Sequence, residues 1–168
     1  MLYEITNPQF IKMLNNLVKL IDKGVAHAET KKFDVDILLN ARLAPDQFNF
    51  IRQVQIACDT AKLCAARITG KEAPVWEDNE NSISDLKARI SKTIAYLSEF
   101  NAKDYEGSEA RTVSQPRWEG KYLTATEFVL QHAIPNLYFH ITTAYSILRH
   151  HGVDVGKKDY LGEMPYKK

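Results

Sequence analysis

Apolar residues recur at spacings of three and four along four separate stretches of the chain, the period of amphipathic helices. Phe10, Leu14, Leu17, Ile21 and Ala28 form the first stripe, with Met13, Leu20 and Val25 beside it. Asn7-Pro8 reads as an N-cap and first helical residue, so the first helix is expected from there to about His27–Thr30. Residues 31–44 are a connector with an apolar patch, Ile37-Leu38-Leu39. Ala44-Pro45-Asp46 opens the second helix, whose core arc holds Phe48, Ile51, Val54, Ala57, Cys58, Ala61, Ala65 and Ile68, with Gly70 as the stop. Its second half is small, which lets a neighbouring helix approach closely. An acidic loop over 70–81 follows. Ser82 with Asp85 then resembles a capping box, and Ile83, Leu86, Ile90, Ile94, Leu97 and Phe100 mark the core face of a third helix.

The helical period lapses over residues 105–123, where Gly107, Gly120 and Pro116 fall. Extended runs at Ala110–Ser114 and Trp118–Leu123 can pair as a short hairpin. The stretch is long for a link between adjacent helices and suits a crossover. Thr124 with Glu127 is a second capping box, and the pattern runs on to His151 with Gly152 as the stop. Pro135 inside it predicts a kink or break, because proline donates no backbone bond and crowds the carbonyl of Gln131. Val153–Lys168 reads as an extended tail. The pattern therefore predicts an all-α protein, a four-helix bundle with a long crossover before helix 4, with residues 1–168 as a single domain.

Composition narrows the class. Apolar residues are 45% and charged residues 26%, the balance of a folded globular chain. Lys+Arg of 22 against Asp+Glu of 21 argues against nucleic acid or an anionic membrane as the main partner. The start, MLYEITNPQF, lacks a basic region followed by an apolar one, so no secretory signal is expected there. The longest stretch free of charge, Phe128–Leu148, contains Gln131, His132, Pro135, Asn136 and His140 and reads as a buried helix rather than a membrane span. Cys58 and Cys64 stand six apart on one helix, about 9 Å by helical rise, too far for a disulfide. They fit small buried groups in a reducing cytoplasm.

No Gly-rich phosphate loop, CxxC pair, HExxH or GxSxG occurs. The candidate chemistry lies on the fourth helix. Leu137, Ile141, Ala144 and Leu148 mark its core face, and His140, three after Leu137 and four before Ala144, projects toward the interior. His151 is expected to project similarly. Asn136 lies one turn before His140 on the same side. Gln55 and Asp59, four apart on the second helix, flank its core arc and are the expected partners of His140 and Asn136 across a shared pocket. The ordinary alternatives are a core histidine bonded to a neighbour and a solvated helix face beside Arg52 and Lys62. Ile56 and Leu63, seven apart on the other side of the second helix, suit a second partner such as another subunit.

The stretch Pro135–Gly152, PNLYFHITTAYSILRHHG, together with QIACDTAKLCAARITG, GKKDYLG and the acidic loop before the third helix, resembles a domain-of-unknown-function family of the DinB/YfiT-like superfamily. The resemblance spans nearly the whole chain. It implies an up-down-down-up four-helix bundle with a long third connection. Many members of that superfamily hold a divalent metal, zinc or nickel, on one histidine of the second helix and an HxxxH pair of the fourth, and some are metal-dependent thiol S-transferases. Here the matching pair is Asn136-Leu-Tyr-Phe-His140, so His140 is the only matching ligand, and the second helix has no histidine. Asn is a weak replacement for imidazole on such metals. The resemblance thus implies a degraded metal site and a binding or interaction module for a small molecule. Two alternatives stand beside it: an enzyme with an altered site around His140, and a structural homodimer.

Overall fold

Helix α1 runs over Leu2–Lys31, beginning before Pro8 rather than at it. The early start follows from burial: Leu2, Thr6 and Asn7 are all buried, and Pro8 sits on the exposed side, where the carbonyl it leaves free meets water. Asn7 caps another helix instead of its own, its Nδ2 donating to the Leu97 carbonyl at 2.7 Å. The computed structural model describes residues 1–167.

A 3-10 turn over Val35–Asn40 buries Leu38 and Leu39, and α2 then spans Phe50–Thr69. The Pro45 signal belongs to a tight turn, closed by Gln47 N–H donating to the Ala44 carbonyl. Asn49 is the actual N-cap, accepting from the Arg52 N–H at 3.1 Å. Phe48, expected in the core, therefore lies outside the helix and is 56% exposed, and Phe50 is buried in its place. Helix α3, Ile83–Ser98, starts on Ser82, whose side chain accepts from Asp85 N–H.

The crossover contains the hairpin: β1 (Thr112–Ser114) pairs antiparallel with β2 (Tyr122–Thr124), Val113 opposite Leu123. The Thr124–Glu127 capping box then opens α4 (Ala125–Phe128), a single π-helical turn follows over Val129–Ala133, and α5 covers Ile134–His150. The disturbance expected at Pro135 is taken up here: Ile134 N–H reaches back five residues to Val129. The end of the chain corrects the extended-tail expectation. Val153 and Val155 are buried and α6 forms over Lys157–Leu161, anchored where Asn16 of α1 donates to the Tyr160 carbonyl.

Side-chain pairs fix the helix directions. Asn7–Leu97 and Asp22–Lys87 make α1 and α3 antiparallel. Asp59–Arg89, with Lys62 and Lys92 both over Trp76, makes α2 and α3 parallel. Gln53–His140 and Thr60–Asn136 make α2 and α5 antiparallel. The resulting up-down-down-up bundle encloses one apolar core that includes Leu14, Leu17, Val54, Ile90, Leu97 and Ile141. No helix among the described residues is long and apolar enough to cross a membrane.

Candidate functional site

An open cleft of about 530 Å³ runs along the seam between α2 and α5 and is closed on one side by the turn after β1. Arg52, Ile56, Asp59, Thr60, Leu63 and Arg67 form its α2 wall, a single helical face at spacings of three and four. His140, Asn136 and His132 face them, one from each successive turn, and Gln115–Arg117 cover the far end.

His140 is buried, and its Nδ1 lies 2.7 Å from Gln53 Oε1. The Gln53 Nε2 donates to the Phe48 carbonyl at 3.0 Å, which fixes the amide orientation. Gln53 therefore offers only an acceptor, and Nδ1 of His140 carries the proton. Its Nε2 has no partner among the described residues and is left with a free lone pair at the cleft floor. Burial, followed by the nearby Arg52 charge, pushes the His140 pKa down to about 4. The ring is neutral at physiological pH.

Asn136 donates to Thr60 Oγ1 at 2.7 Å, one rung along the cleft. The other expected partners of His140 are otherwise engaged. Gln55 donates to Glu80 at 2.8 Å and accepts from Arg52, so it ties down the acidic loop. Asp59 lines the cleft, but the same Oδ1 takes Arg89 Nη2 at 3.0 Å and Lys62 Nζ at 2.8 Å. The partner of His140 is thus Gln53, not Gln55 or Asp59. Gln53 carried the same signal as His140: it stands three after Phe50 and four before Ala57, a polar residue on an apolar stripe. Gln55, two positions on, points about 200° away around the helix.

His151 is exposed and bonds the Ile147 carbonyl of its own helix instead of turning inward. Ile56 and Leu63, expected to meet another subunit, are half-buried in the cleft wall. Cys58 is buried, and burial raises its thiol pKa to about 12; Cys64 is shifted upward for the same reason. Neither is a thiolate nucleophile at neutral pH.

The superfamily's metal does not fit these residues. At the three ligand positions the chain offers one imidazole, Asn136, whose amide donates to Thr60, and an α2 with no histidine. Gln53 is the α2 side chain that reaches His140, and its oxygen is spent on the imidazole N–H. No group of three His, Cys, Asp or Glu among the described residues is placed to hold a metal ion.

The far end of the cleft is cationic. Arg117 Nη2 lies 2.8 Å from His132 Nε2, which makes that nitrogen the acceptor. His132 stacks on Phe128 at 5.3 Å, and the Arg67 guanidinium lies 5.8 Å from the same ring centroid. Burial lowers the His132 pKa, with Arg117 and Arg67 adding to it.

Comparison with known proteins agrees with this architecture. Residues 2–161 match the family model described as Domain of unknown function (DUF1993). The fold is similar to a crystal structure of a DinB family member protein from Shewanella denitrificans, with a TM-score of 0.97 and 59% identity, over 100% of this chain and 96% of that one. No curated protein matches the chain. The sequence match over nearly the whole length and the shared bundle together place the chain in DUF1993, a DinB-like family, to which it belongs.

Proposed function

We propose that the protein binds a small molecule in the α2–α5 cleft, with the free Nε2 of His140 accepting a hydrogen bond from a donor group of the ligand. The observation that carries this reading is the Phe48–Gln53–His140 relay, which holds the imidazole in one tautomer and turns its lone pair to the cleft. Such a fixed acceptor on a partly apolar wall, with Ile56, Leu63 and Phe128 close by, is the composition of a small-molecule site. The low His140 pKa favours binding over catalysis, because a general base works best with a pKa near the operating pH.

Two measurements test the reading. A thermal-shift screen of a small-metabolite collection is expected to find ligands that stabilise the protein and lose that effect in Leu63→Trp, which fills the cleft. Ligands that stabilise both proteins equally, or none at all, would sink it. Metal analysis of protein purified without a histidine tag is expected to find well under one equivalent of Zn²⁺ or Ni²⁺ per chain. Near-stoichiometric metal that disappears in His140→Ala would restore the metal-centre alternative.

A further inference from the structure

The two buried cations among the described residues have carboxylate partners. Arg89 is held by Asp59, Asp78 and Glu80, and Lys62 by Asp59. Arg67 has none. It is half-buried, it makes no hydrogen bond or ion pair with any described residue, and none of its nitrogens is sealed from the cleft. Arg117 stands close enough for its charge to depress the Arg67 pKa, in addition to the larger effect of burial and against the opposing Cys64. Its only side-chain bond is to His132 Nε2, an uncharged acceptor. Two guanidiniums thus converge on one end of a cleft whose single carboxylate, Asp59, is already shared by Arg89 and Lys62.

Beside them, Gln115 Nε2 and His132 Nδ1 are buried with no partner. The His132 proton sits on Nδ1, since Nε2 accepts from Arg117, so both orphans are donors. Unmet buried donors are costly, and four donor-bearing side chains gathered at one site call for an acceptor carrying negative charge.

We infer that the Arg67–Arg117 end of the cleft is an oxyanion subsite, and that the ligand of this protein carries a carboxylate or phosphate group there. The inference rests on the binding reading above and adds the chemical class of the ligand. Between His132 and His140 the helix rises about 12 Å over eight residues. The ligand is therefore elongated: an oxyanion at one end, an apolar body along Leu63 and Ile56, and a hydrogen-bond donor at the other end for His140 Nε2.

The test uses inorganic phosphate as the probe, titrated into the isotope-labelled protein with chloride replaced at constant ionic strength. Saturable shifts of the Arg67 and Arg117 side-chain N–H signals are expected. Arg67→Gln, which breaks no hydrogen bond, should weaken phosphate at least about 10-fold, the loss of one charge-assisted contact. Arg67→Gln with Arg117→Gln should abolish binding while the fold, read from the remaining amide signals, persists. Shifts that never saturate, or that survive the double substitution, overturn the inference. Repeating the metabolite screen on the double variant separates the two proposals. Ligands that bind it as well as they bind the wild type leave the cleft reading standing and overturn the oxyanion subsite. Phosphate binding with no ligand from the screen does the reverse.

Discussion

Arg89→Ala is expected to lower the unfolding free energy by about 3–5 kcal/mol in urea denaturation, the range for removing one partner of a buried ion-pair cluster. The side chain is 0% exposed and bonds Asp59, Asp78, Glu80 and the Glu77 carbonyl. Taking it away leaves Glu80, 9% exposed, and the half-buried Asp59 facing each other with Lys62 as the nearest compensation. It also weakens the hold on the acidic loop, whose remaining side-chain ties to α2 are Arg52–Asp78, Gln55–Glu80 and Lys62 over Trp76. A loss below about 0.5 kcal/mol, the size of a neutral surface change, would show that the cluster does not hold the loop. The functional consequence is indirect: with Arg89 gone, Asp59 keeps only Lys62 to offset its charge in the cleft, and the binding of anions at its far end should weaken.

Stability is expected to fall as pH drops from about 6.5 toward 4, by about 2 kcal/mol at pH 5 and about 3 kcal/mol at pH 4 from His140 alone. The sign follows from linkage. The His140 pKa is about 4 in the fold against 6.5 for an ordinary histidine, so between those values the unfolded chain binds the extra proton and the folded one does not. The contribution is fully present above about pH 6.5 and is lost as pH falls through the window. His132, also shifted downward, adds in the same direction. In His140→Leu the slope of stability between about pH 5 and 6.5 should shrink to the part due to His132. An unchanged slope would mean that His140 is not the neutral, desolvated ring described above. The same neutrality underlies the binding reading, since a protonated Nε2 cannot accept a hydrogen bond.

Local signals and tertiary signals divide along clear physical lines. Features written within a few residues of each other were legible: the Ser82 and Thr124 caps, the Gly70 stop, the core stripes of α3 and α5, and the two short strands of the hairpin. A capping hydroxyl and its target N–H are three residues apart, so their geometry is local. The inward position of His140 was legible for the same reason, because helical spacing alone puts it beside Leu137 and Ala144.

Three features were decided only by packing. Pro8 and Pro45 are good helix-start signals, yet burial of Leu2 drew α1 past the first, and the turn closed by Gln47 absorbed the second. The Val153–Leu161 segment lacks an amphipathic period long enough to read, and it is ordered because α1 gives it a surface and Asn16 a hydrogen bond. The cleft itself is the third. Periodicity shows which residues share a face of one helix, but not which residue of the next helix stands opposite, and that depends on the axial offset between α2 and α5. This offset pairs His140 with Gln53 and leaves Gln55 and Asp59 to the acidic loop and Arg89. It also sets Arg67 beside an arginine fifty residues further along the chain, held there by a hairpin turn. Periodicity along the chain suffices for the helices and their apolar faces. The tertiary structure alone decided which polar groups meet, because hydrogen bonds and charge pairs depend on ångström-scale distances between elements that no local pattern encodes.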